Sequence, residues 1–189
     1  MVTTAHGTAR GTDTARGTDT AHEAATERAL AAAAAVTDPE LPMLSLADLG
    51  ILRGVDLDGD GTVQVWITPT YSGCPALAEM RADVDRAVRA AGFDRVRVRT
   101  ALSPAWTTDW ITGEGRRKLA EHGISPPGDA PRRAPGPVPL TLLPTRTVPR
   151  CPLCGAADTE ELSRFGATSC KSLHRCRSCL EPFEHVKEI

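Results

Sequence analysis

Two Cys-x-x-Cys pairs, Cys151-Pro-Leu-Cys154 and Cys176-Arg-Ser-Cys179, stand twenty-one residues apart near the end of the chain and restrict what that segment can become. A module of under forty residues buries too little surface to fold alone. Each pair can turn two sulfurs toward one ion, and two such turns complete a tetrahedral four-thiolate site. The spacing lies just outside the usual zinc window of about 15–20 residues. Gly155 suits the first knuckle because it tolerates a positive φ; the second knuckle carries Leu180 in that place. Structural zinc on Cys151, Cys154, Cys176 and Cys179 is the leading expectation. An iron or iron–sulfur centre on the same sulfurs, and a pair of disulfides, stay open. Cys170, His174 and His185 are spare donors, and Cys170 is a candidate to exchange with a ligand or hold a transient metal.

The rest of the 189-residue chain is that of a water-soluble protein, with 41% hydrophobic residues and a formal charge of −2. Only 4% are aromatic, so the core must be built from Leu, Val, Ile and Ala. No run reaches the ~18–20 apolar residues of a membrane span, and the N-terminus lacks a secretory signal. Thiolate-ligand spacing points to a reducing compartment, hence the cytoplasm. The balance of charge also argues against nucleic acid as a partner, and the stripe Arg95, Arg97, Arg99 reads as a solvated sheet face or a surface for an acidic protein.

Four regions are expected. Residues 1–20 repeat Thr-Ala-Arg-Gly-Thr-Asp and carry nothing bulky to bury, which predicts disorder. Residues 21–124 read as helix, strand, strand, helix, strand, helix, a small α+β domain. Its helices fall at about Ala21–Val36, Pro75–Ala91 and Thr112–His122, and its strands at Leu49–Val55, Thr62–Ile67 and Phe93–Leu102. Leu77, Met80, Val84 and Val88 give the second helix its apolar face, and the Asp58-Gly-Asp-Gly61 turn predicts a hairpin. Residues 125–149, with eight prolines in Ser125–Pro149, read as a stiff linker. Residues 150–189 form the β-rich four-cysteine module.

The sixth cysteine, Cys74, stands far from the others, before Pro75 at a helix start. Proline is favoured in the first helical turn, and an N-terminal position favours the thiolate, which predicts a pKa below the free value of about 8.5. A small buried hydrophobe is the competing reading of a lone cysteine. Asp38 and Glu40, flanking Pro39, read either as helix-end charges or as hard ligands. Trp106 and Trp110 fit equally as core or as partner anchors. No Gly-rich cofactor loop, Ser-His-Asp set or paired Glu-x-x-His helices are present, so a catalytic role is left uncertain.

The stretches Asp38-Pro-Glu-Leu-Pro-Met-Leu-Ser-Leu-Ala-Asp-Leu-Gly-Ile51 and Thr68-Pro-Thr-Tyr-Ser-Gly-Cys-Pro75 resemble the MIP18 (DUF59) family of iron–sulfur maturation factors. Pro104–Ile111 and the tail from Phe165-Gly-Ala-Thr-Ser-Cys-Lys171 to Phe183 narrow the resemblance to the PaaD family of phenylacetyl-CoA epoxidase subunits. It spans roughly residues 22–189. The resemblance implies an accessory factor that assembles or maintains metal centres in phenylacetate catabolism, with the oxygenase and reductase subunits, and iron–sulfur assembly proteins, as partners. It makes Asp38, Glu40 and Cys74 the positions that hold and hand over transient iron or an iron–sulfur cluster. The alternative is a stoichiometric electron-transfer or structural subunit using metal in the tail. Self-association is left open.

Overall fold

The computed structural model describes residues 13–130 and 148–189. In chain order the elements of the first lobe are α1 (Asp13–Ala34), β1 (Leu52–Leu57), β2 (Val63–Ile67), α2 (Leu77–Ala90), β3 (Val96–Thr100), α3 (Gly113–Glu121) and β4 (Ile124–Ser125). The second lobe adds β5 (Thr159–Ser163), β6 (Lys171–Cys176) and β7 (Pro182–Val186). The α+β order expected from the sequence is present, with a β-rich tail.

β1 and β2 form the expected antiparallel hairpin through Asp58–Gly61, and β3 joins the other side of β2 in parallel. β2 is therefore central, and its Val63, Val65 and Ile67 are wholly buried. Alternation along a strand puts these three on one face. Against it pack Met80, Val84 and Val88 of α2 and Ala29 and Ala33 of α1. Small alanines on α1 let that helix approach closely. In β3, Arg97 and Arg99 face outward as expected, and Arg99 is tied to Gln64 at 2.7 Å. Trp106 belongs to the core: it is buried and its indole N–H donates to the Leu49 carbonyl at 2.9 Å. Trp110 is half-buried beneath the Arg53 guanidinium, 3.6 Å from the ring centroid.

Two regional expectations need correction. α1 begins at Asp13, so the second hexapeptide copy, expected to be disordered as part of residues 1–20, continues the helix. Adding a turn to an existing helix avoids the nucleation penalty, so weak sequence suffices. Residues 1–12 lie outside the described residues. The linker, expected to start at Ser125, starts later, because Ile124 and Ser125 pair in parallel with Glu184 and His185 of β7. The second sheet thus runs β4-β7-β6-β5 and draws its edge strand from the first lobe. Most of the expected linker, residues 131–147, lies outside the described residues.

Further bonds join the lobes. His185 Nδ1 lies 3.2 Å from the Ser125 carbonyl, and the Thr107 hydroxyl donates to the Ile189 carbonyl at 2.9 Å. Val186 sits in the main core with Ile124. Among the described residues no helix is long and apolar enough to cross a membrane.

Candidate metal centre and an interlobe thiol cleft

Cys151 and Cys154 precede β5, and Cys176 and Cys179 form the turn from β6 to β7. The four sulfurs lie within 4.8 Å of one another. Cys151 and Cys179 are 3.8 Å apart, and Cys154 and Cys176 are 3.5 Å apart. A tetrahedral ion with bonds of about 2.3 Å needs sulfurs about 3.8 Å apart, so the donor set fits such an ion. None of the four is in a disulfide. The backbone N–H groups of Cys179 and Ser178 point at the Cys176 sulfur, at 3.5 and 3.4 Å. Led by the Cys179 N–H and opposed by burial, these donors bring its thiol down to about 6. Donors aimed at a sulfur favour its deprotonated, metal-ligating form. Among the described residues the local core comprises Cys151, Cys176 and Phe183, with Ala156 and Cys179 against it.

The two knuckles differ in one residue. Gly155 has φ 75° and Leu180, at the matching place, has φ 66°. An L-residue with a bulky side chain is strained there, by roughly 1–2 kcal/mol. The Leu180 side chain is exposed, so little packing opposes its removal. Leu180→Gly is therefore expected to stabilise the metal-loaded second lobe by about 1 kcal/mol, net of the unfolded-chain entropy of glycine. Denaturant unfolding at fixed metal concentration reads this; a variant no more stable than the parent would show that the turn is unstrained.

A second group of donors gathers where the lobes meet. Asp38, Glu40, Cys74 and Cys170 line one narrow cleft, floored by Leu49, Ile51, Met80 and Trp106. Its free space of about 20 Å³ suits a single water. Asp38 reaches it because the Pro39 turn folds on its own carboxylate: Oδ1 accepts the N–H groups of Glu40 and Leu41 at 2.8 and 2.9 Å. Cys74 arrives from the turn leading into α2. Cys170 arrives from the loop between β5 and β6, held by the Thr168 hydroxyl at 3.0 Å and by a Lys187 N–H to its carbonyl. Lys171, the next residue, is buried and pairs with Glu184 at 2.6 Å.

These surroundings reverse the expectation for Cys74. Burial pushes its thiol above the ordinary value, and the carboxylates of Glu40 and Asp38 add to the rise. The Ala76 N–H at the start of α2 pulls the other way, as a helix start should, but loses. Burial likewise raises Cys170, with Glu40 adding to it. Asp38 and Glu40 are both raised, first by burial, with Lys171 opposing. The expectation of Cys170 as an exchanging ligand of the four-sulfur site also changes. The unbroken strand β6 separates Cys170 from Cys176, and at about 3.3 Å per residue that is roughly 20 Å. His174 and His185 are buried beside each other, His174 also stacking on Phe183, and neither belongs to the four-sulfur group.

The gathering of Cys170 with Cys74 is the site feature that sequence reasoning missed. The available signal was the Phe165–Lys171 stretch, which carries the family resemblance without belonging to either knuckle.

Comparison with known proteins agrees with this two-part architecture. Residues 26–100 match the family model described as iron–sulfur cluster assembly protein, and residues 135–187 match the PaaD zinc beta ribbon domain. The class is thus an iron–sulfur-assembly fold carrying a zinc ribbon. A 1,2-phenylacetyl-CoA epoxidase subunit of Escherichia coli strain K12 is 44% identical over 154 residues, covering 82% of this chain and 87% of that protein. The chain belongs to the PaaD family. An Fe-S protein maturation auxiliary factor of Porphyromonas gingivalis is 34% identical over 85 residues, covering 44% of this chain and 80% of that protein. A crystal structure of a DUF59 domain from Bacillus anthracis matches with a TM-score of 0.49 at 23% identity, covering 53% of this chain and 96% of that one.

Proposed function

We propose that this chain is an accessory factor of a phenylacetyl-CoA epoxidase, which receives iron or an iron–sulfur cluster at Cys74, Asp38 and Glu40 and passes it to the oxygenase or reductase. The observation that carries the reading is that the thiol and both carboxylates, from separate segments, line one cleft. A soft sulfur beside hard oxygens suits a cargo that must be gripped and released. The raised thiol adds a proton competitor: the metal must displace a proton to bind, so the grip is weaker at neutral pH than a preformed thiolate would give. Loose holding is what transfer needs.

In this reading the four-thiol ribbon holds structural zinc and keeps the second lobe folded. Four thiolates also suit iron, which is what an electron-transfer role would require. Purified protein that is colourless and holds one zinc per chain rejects that alternative; visible absorption that bleaches on reduction and survives Cys74→Ala favours it.

The handover role is tested by expressing the oxygenase and reductase together with Cys74→Ala. Loss of a ligand is expected to lower cluster occupancy in the recipient by roughly tenfold or more, with epoxidase activity falling alongside. Recipient proteins with full metal content and normal activity would remove Cys74 from any such role.

A further inference from the structure

We infer that the cargo site is completed by Cys170, so that the metal is gripped between a thiolate from each lobe. This rests on the handover reading and adds to it a residue and a mechanism. Cys74 belongs to the assembly fold and Cys170 to the ribbon. The two nevertheless line the same cleft, together with Asp38 and Glu40. Both thiols are free and half-buried. The Glu40 carboxylate acts electrostatically on both sulfurs, which places it between their surroundings.

The chemistry of the four donors is complementary. One thiolate with two carboxylates is a weak, hard-leaning set that magnesium or calcium also accepts. A second thiolate shifts the preference to iron, zinc or a cluster. Loading replaces two thiol protons with one cationic group, and those protons leave to solvent; no electron transfer is involved. Cys74 and Cys170 take up the position of ligands, while Lys171, locked on Glu184, stays next to the cleft as a fixed positive charge that limits the total negative charge of the four donors.

The placement also gives the ribbon a task beyond folding itself. Its four sulfurs lie at one end of β6 and Cys170 just before the other. The ribbon ion therefore sets the position of a ligand about 20 Å away. Stripping that ion should cost cargo binding even though no ribbon thiol touches the cargo.

The test uses the full chain, loaded with zinc and then incubated without oxygen with ferrous iron, sulfide and a thiol reductant. Iron per chain and visible absorption are read for the parent, Cys74→Ser and Cys170→Ser, with zinc content and melting as controls. The expected result is that both variants keep their zinc and lose roughly tenfold or more of cluster affinity. If Cys170→Ser loads like the parent while Cys74→Ser does not, this inference is overturned and the Cys74 reading stands. If the parent takes up no cluster beyond the ribbon, or both variants load normally, both fall. Should Cys170→Ser fail to fold, alkylation of the parent read by mass spectrometry decides. Protection of both Cys74 and Cys170 on loading upholds the shared grip, and protection of Cys74 alone overturns it.

Discussion

Replacing Cys176 with serine is expected to unfold the second lobe while the first keeps its structure. The reason is the size of the ribbon's own core, one phenylalanine packed on sulfurs. With so little apolar surface, the lobe depends on its ion, and structural zinc of this type contributes about 10–16 kcal/mol of apparent binding free energy. The first lobe has an independent core of aliphatic side chains around β2. Limited proteolysis should therefore cut within 148–189 and spare 21–124, with zinc lost and the near-ultraviolet circular dichroism of Trp106 and Trp66 largely kept. Chelation of the parent should reproduce the pattern. Resistance of the stripped protein to protease would mean that the ribbon is held by its contacts with β4 and Thr107 instead.

Lys171→Met should be the most destabilising single change outside the ribbon's ligands. The ammonium is buried and its partner Glu184 is mostly so, with side chains 5% and 24% exposed. Removing one member of a buried pair leaves the other uncompensated, at a cost of about 3 kcal/mol here. The effect has a defined pH dependence. Burial alone would raise Glu184, but Lys171 and the Ala167 N–H hold it below the ordinary carboxylate value. A carboxylate depressed in the folded state contributes stability above its unfolded pKa and loses it as pH falls through the folded value. The difference between parent and Lys171→Met should thus be full at neutral pH and shrink on acidification. Asp38 and Glu40 move in the opposite sense: raised in the fold, they cost stability when ionised and relieve it when protonated. Because Lys171 moderates both, their penalty grows in the variant and closes over the same acidic range. Urea unfolding at neutral and at acidic pH measures it; a gap independent of pH would mean that packing, and not charge, sets the loss.

What could be read in advance depended on how far apart the interacting residues are. The helix at Leu77–Ala90 was legible because Leu77, Met80, Val84 and Val88 mark one face within four turns. The four-thiol centre was legible because each knuckle is a local turn, and even the awkward Leu180 could be picked out. The strand Ile124–Ser125 was not: two residues carry no periodicity, and only pairing with β7 makes them a strand. The direction of the Cys74 shift failed for the same reason. Its helix start is a local feature and does act as expected, through the Ala76 N–H, but burial against distant segments outweighs it, with Glu40, Asp38 and Cys170 adding to the rise. Asp38 and Glu40 could be named from the family resemblance, though nothing in their spacing foretold that they would meet a thiol from the ribbon.

The parallel pairing of Ile124 and Ser125 with Glu184 and His185 has a practical corollary for dissection of the molecule. Cutting at the proline tract, the natural choice for making two fragments, would strip β7 of a neighbour and leave an open strand edge, a template for wrong association. Ile124 and Val186 would both lose cover at the same stroke. Fragments made this way would report on sticky surfaces, so deletions intended to separate the parts should carry Ile124 and Ser125 along with the tail.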